Sequence, residues 1–171
     1  MSDLFNDLKI KNIKIDKWDV SNVTDMSYMF YLCKDFNGDL STWDVSNVRN
    51  MSYMFCNCNV FDGDLSTWNV HEVTDMSYMF NGCYNFNGDV STWDVSNVTN
   101  MYSMFFCCFQ FRGNKLGNWN VNRVTDMSLM FTGCSYFNCD LSKWDISNVK
   151  DMSDMFYQCY NLKRKPSWYK E

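Results

Sequence analysis

WDVSNVTDMSYMF, residues 18–30, decides the fold, because near copies of it begin at Trp43, Trp68, Trp93, Trp119 and Trp144. Aligned on tryptophan, the chain has a period of 25 residues, broken once by an extra residue between Phe111 and Trp119. Cys33, Cys58, Cys83, Cys108, Cys134 and Cys159 keep that period, as do methionine pairs running from Met26 and Met29 to Met152 and Met155. A fixed period in this range marks a solenoid, in which each unit buries its apolar face only against its neighbours.

Within one unit, Met26, Met29, Phe30 and Cys33 fall at i, i+3, i+4 and i+7, the spacing of one face of a short helix. The residue before that face is Asp25, Asn50, Asp75, Asn100, Asp126 or Asp151. Both residue types accept hydrogen bonds from the free amides at a helix start, so the row reads as N-caps rather than as a cation site. In LSTWDV, Leu40, Trp43 and Val45 read as a strand, which suits tryptophan and β-branched residues. Together these predict an α/β solenoid of strand, turn and short helix, with a parallel sheet on the inner face and helices outside. Strands stack at roughly 4.8 Å and helices at roughly 8–10 Å, so the tryptophan side is expected to be the narrow, concave one.

Between helix and next strand, Phe36, Phe61 and Phe86 read as core, and Gly38, Gly63 and Gly88 as residues permitting a tight turn. Cys139 replaces that glycine in a later unit, so the turn there either does without a positive φ or is strained. The expected organisation is a single repeat domain: an N-terminal cap over 1–17, six repeats over 18–162 and a C-terminal cap over 163–171. SDLFNDLKI is expected to form a short amphipathic helix, and LKRKPSWYKE to leave the repeat.

The pattern C-x-x-F-x-G-D-L-S-x-W-D-V-S-N-V-T-D-M-S-x-M-F, with six V-x-[DN]-M-x-x-M-F cores from Val23 to Val149, resembles the BspA-like leucine-rich-repeat family in its tryptophan-containing, methionine-rich form. That resemblance implies a leucine-rich-repeat-like solenoid of the kind found in bacterial surface proteins and large DNA viruses, with binding or adhesion as its role. Secreted members carry an export signal, a lipid-attachment cysteine or a wall anchor. The start, MSDLFNDLKIKNIKID, reads as none of these.

Nothing in the chain reads as a bilayer-spanning segment, and the net charge of −5 disfavours a phosphate-binding surface. An intracellular location is therefore expected, cytoplasmic or in a virion or host cell, where nine cysteines would stay as thiols. The cysteine column reads as small buried hydrophobes, and CNC and FCC lack further ligands at zinc spacing, so neither metal nor cofactor is expected. His71, the one histidine, replaces a serine of the repeat and has no recognisable nucleophile beside it. No phosphate loop, zinc-binding helix or nucleophile elbow occurs, which argues against an enzyme.

What remains is a binding scaffold, monomeric and with an unidentified protein as ligand; the alternative is a surface adhesin. Candidate contact residues fall where the repeat leaves freedom or departs from itself. Asp44, Asn69, Asp94 and Asn120 would line the inner face, an acidic and amide row suited to a basic or amide-rich partner. In MFFCCFQF, Phe106 and Phe109 place large apolar groups where other units are often polar, beside the insertion that includes Lys115 and Asn118. Exposed apolar surface of this kind marks partner sites, unless Phe109 folds over to fill the space the insertion opens. Tyr28, Tyr53 and Tyr78 would form a further aromatic strip, shifted by one residue at Tyr102.

Overall fold

The computed structural model describes residues 1–11 and 13–170. Each repeat makes one coil of a stack, and the coils are numbered 1 to 6 here from Trp18, Trp43, Trp68, Trp93, Trp119 and Trp144. The expected architecture of inner sheet and outer helices is overturned. Among the described residues, regular structure amounts to one 3-10 turn, Leu116–Asn118, and five isolated parallel bridges running from Asp25–Asn50 to Asp126–Asp151. The coils are built from β-turns.

The destination of the backbone N–H groups explains why no helix forms. In coil 1, the amides of Met26, Tyr28, Phe30 and Leu32 donate to the carbonyls of Asn50, Ser52, Met54 and Cys56 in the next coil, at 2.8–3.0 Å. An α-helix would need those same donors four residues back. The alternate amides, of Met29, Tyr31 and Cys33, close turns onto the carbonyls three residues earlier. This alternation forces two left-handed residues per coil: Tyr28, Tyr53 and Tyr78 at φ 56–59°, then Leu32 and Asn57 at 61° and Gly82 at 73°. A non-glycine residue there costs about 1–2 kcal/mol, offset by the coil-to-coil bonds it permits. The Asp25 row does serve as a cap, but of a turn: Asp25 Oδ1 accepts the Ser27 N–H at 2.8 Å, and Asn50 that of Ser52 at 2.9 Å.

The tryptophan segment is likewise not a strand. Trp43 N–H closes a turn on Leu40 and Val48 N–H another on Val45. Here the coils are joined by side chains. The indole N–H of Trp43 donates to Ile15 at 2.8 Å, and those of Trp68 and Trp93 to Leu40 and Leu65 at 3.0 Å. Thr67 and Thr92 hydroxyls reach Ser41 and Ser66 at 2.8 Å. The cysteine column belongs to the same system, since the Cys58 and Cys83 thiols donate to Phe30 and Phe55 carbonyls at 3.0 and 2.9 Å. All nine cysteines are free thiols. Residues the sequence marks as core are thus also hydrogen-bond staples to the preceding coil.

Between the two flanks lies a buried phenylalanine column. Phe30, Phe55, Phe80, Phe105 and Phe131 stack at 5.5–5.8 Å from coil to coil, each also packed on its own coil's second phenylalanine at 4.1–4.2 Å. Ring separations widen across the coil, from 4.5 and 4.2 Å in the Tyr28–Tyr53–Tyr78 stack to 6.4–6.5 Å between tryptophans. The tryptophan rings, expected on the narrow side, are thus the more widely separated ones. Backbone pairing draws the methionine flank together, and indoles hold the tryptophan flank apart.

Gly38 is needed for space and not for φ: a Cβ there would sit 2.7 Å from the Phe36 ring. Cys139 at the equivalent position also lacks a positive φ, so the unstrained of the two alternatives holds. The ends continue the winding. MSDLFNDL forms no helix; Asp3, Phe5 and Asp7 amides donate to Ser27, Met29 and Tyr31, as half a coil ahead of coil 1. At the other end Trp168 stacks on Trp144 at 6.4 Å and its indole N–H reaches Leu141, so the tryptophan column runs past residue 162.

Candidate functional site

The eight contact residues expected from the sequence occupy three separate places. Asp44, Asn69, Asp94 and Asn120 do form an exposed column on the tryptophan flank, but it lines no sheet, because each side chain is engaged in its own turn. Asp44 and Asp94 accept the N–H two residues on at 3.0 Å, Asn69 and Asn120 at 3.2 and 3.3 Å. Bonds from Ser46 and Ser96 hold the Asp44 and Asp94 carboxyls below the ordinary aspartate range. Phe106 is half-buried on the methionine flank, where its carbonyl accepts the Gly82 amide.

Phe109 stands on a third face, with Lys115 and Asn118 farther round it. It does not fold into the insertion. It is 39% exposed and stacks on Tyr84 at 5.0 Å. The insertion accommodates itself by other means. Lys115 takes φ 61°, Leu116 keeps the core position held by Leu40 in coil 1, and the Trp119 amide closes its turn on Leu116 as Trp43 does on Leu40. Gly117 stands where other coils have serine because a Cβ there would run into the Asp140 carbonyl.

Around Phe109 lies a column the sequence reading missed. Val60, Tyr84, Phe109, Tyr136 and Tyr160, one in each of coils 2 to 6, are all exposed, between 39% and 77%. Backbone bonds of 3.2–3.3 Å align these positions: Asn85 amide to Asn59, Gln110 to Tyr84, Tyr136 to Phe109 and Asn161 to Ser135. The Arg112 guanidinium lies 5.4 Å from the Tyr136 ring, a cation–π contact. A signal was present, since each residue falls one or two places after the periodic cysteine: NV, YN, FQ, SY and YN. The apolar residue alternates between those two places, so a fixed-register alignment scatters the column.

Two other clusters have defined geometry. Tyr28, Tyr53 and Tyr78 stack face to face, with Tyr102 edge-on at 4.8 Å. The hydrogen bond to Tyr78 pushes the Tyr102 hydroxyl up to about 12. Their faces are spent on one another, leaving edges to solvent. His71 Nδ1 meets Asp94 Oδ2 at 2.8 Å, and its other nitrogen faces the Asn97 amide at 3.4 Å. Arg123 continues this network to Asn97 at 2.8 Å. Through Asp94 and Asn97, His71 links its coil to the next.

Among the described residues, no helix is long and apolar enough to cross a membrane. The family described as Mycoplasma protein of unknown function, DUF285, matches residues 1–114 and again 83–170. No curated protein and no solved structure matches the chain.

Proposed function

Because the chain belongs to the DUF285 repeat family, we propose that it is a non-enzymatic protein-interaction scaffold whose contact surface is the aromatic column through Phe109. One observation carries this: five successive coils each leave an apolar or aromatic side chain exposed on one face, and two of them stack. Contiguous exposed apolar surface rimmed by polar groups is the signature of a partner site, and tyrosine and phenylalanine are favoured anchors at such sites. The repeat supplies rigidity beneath it, since Phe86, Phe111 and Phe137 are buried close behind. Free thiols throughout favour a reducing compartment. The six V-x-[DN]-M-x-x-M-F cores also resemble the repeat wording of BspA-like proteins, which is in keeping with a binding role.

The test is the triple change Tyr84→Ser, Phe109→Ser and Tyr136→Ser. Exposed positions change stability by about 0.5 kcal/mol or less each, so thermal unfolding should stay close to that of the parent. Affinity for captured partner protein should fall at least tenfold. Equal binding by parent and triple variant would remove this face from consideration.

A further inference from the structure

Taken over all sides of the coils, the two halves of the stack differ in charge. Residues 35–111 hold nine acidic side chains and one basic, a net of −8, whereas 112–170 hold five acidic and nine basic, a net of +4. The division is sharpest beside the aromatic residues. The position after each second core phenylalanine, or Leu162 in coil 6, reads Asn37, Asp62, Asn87, then Arg112, Asn138, Lys163. Two residues further on it reads Asp39, Asp64 and Asp89, and then the insertion brings in Lys115. Val60, Asp62, Asn85 and Arg112 share one depression, and the Arg112 guanidinium lies over the Tyr136 ring, so these border the column directly; Lys115, Asn118, Asp140 and Lys143 share a separate depression. The sign changes between coils 3 and 4, where Tyr84 and Phe109 stack.

Taking the column as the partner surface, the geometry points to a second copy of this chain, laid antiparallel on the same face, as its occupant. A two-fold axis near the Tyr84–Phe109 pair would set the acidic half of each copy on the basic half of the other and cover the aromatic column in the process. Such an isologous contact requires a patch that complements itself under rotation. An acidic half, an aromatic pivot and a basic half in that order meet the requirement; a patch of single sign could not. Opposite potentials steer the encounter and fix its direction, because the parallel arrangement sets like charges together. Arg49 runs against the division in the acidic half and Asp126, Asp140, Asp145, Asp151 and Asp154 in the basic half, and Lys34 stands just ahead of the acidic half. Asp140 stands beside Lys143 and Arg164, which offset it locally.

The experiment is the mass of the full chain in solution, by light scattering and sedimentation equilibrium, at low salt and at 1 M salt, where screening shortens the reach of charges to about 3 Å. The expected result is twice the 20.3 kDa chain mass at low salt, moving toward the single-chain value at high salt. Arg112→Glu, Lys115→Glu and Lys143→Glu together make both halves acidic, and this variant should be a monomer. A parent chain of single mass at both salts, or a dimer indifferent to this charge reversal, overturns the inference. If the parent is monomeric yet its binding of another protein is lost in the triple serine variant, the scaffold reading stands while self-pairing fails.

Discussion

The two flanks of each coil solve one problem by different means. On the methionine flank, coil joins coil through backbone amides, as Tyr53 N–H does with Ser77 at 2.9 Å. On the tryptophan flank the joining groups are side chains, as Trp68 Nε1–H is with Leu40 at 3.0 Å. Buried backbone polar groups must find partners in either case. Any residue but proline can supply an amide, so the methionine flank tolerates Tyr, Ser, Leu and Asp at its left-handed position. The other flank is bridged by side chains of particular reach, the indoles from Trp43 onward, the Thr42, Thr67 and Thr92 hydroxyls and the Asn47, Asn97 and Asn148 amides, so its tryptophan is kept in every unit.

Breaking the methionine flank should have the largest effect. Tyr53→Pro removes a coil-to-coil amide and demands φ near −65° where the chain holds 59°. More than about 3 kcal/mol of unfolding free energy should be lost, measured by denaturant titration; a small loss would mean that backbone pairing is not what closes this side. Trp68→Phe is the counterpart. It keeps an aromatic ring in the column while leaving the Leu40 carbonyl without its indole donor, for an expected loss of about 1–3 kcal/mol. Equality of the two losses would erase the distinction between flanks.

The smallest effect expected is an acid one. Bonds from Ser41 and Ser46 hold the Asp39 and Asp44 carboxyls below the ordinary 3.8, and Asp64, Asp89 and Asp94 follow suit. A carboxyl whose folded value lies below its unfolded one stabilises the fold above the unfolded value, and that contribution is lost as pH falls through the folded one. Such aspartates hold the turns before Trp43, Trp68, Trp93 and Trp144 and those after Trp18, Trp43, Trp93 and Trp144, whereas the methionine flank has one lowered aspartate, Asp151, and uses the non-titrating Asn50 and Asn100 in two coils. Below about pH 4, tryptophan emission should therefore shift before the far-ultraviolet signal changes. Coincident transitions would show that the flanks do not loosen separately.

The same contrast explains what could be read in advance. The period and the buried Met, Phe, Cys and Trp positions are carried by side chains and were legible; the Asp25 row was legible as a capping row, but it caps turns and not the helices expected. The helix was misread because Met26, Met29, Phe30 and Cys33 have a spacing that linked turns share, while the competing destination of their amides leaves no mark on residue type. One clue was available. Asn57, Gly82 and Gly133 occupy the same left-handed register, and glycine recurring inside a supposed helix disfavours it. At the candidate surface, Phe109 stood out by its bulk, but its companions Val60, Tyr84 and Tyr136 did not, because they alternate between neighbouring places in the repeat. Asp44 and Asn69 were correctly placed outside the core, yet their turns use oxygens that a binding row would need free.

The staples have a direction. The indoles from Trp43 onward, the thiols of the periodic cysteine column and the bridging threonines other than Thr132 reach back to the coil before, across 25–29 residues of chain. A coil leaving the ribosome therefore finds its acceptors already laid down, and each new turn of chain is templated by the last. However many coils are wound, no step waits for a distant part of the sequence, so the search that slows folding in proteins of long-range pairing is replaced by local accretion.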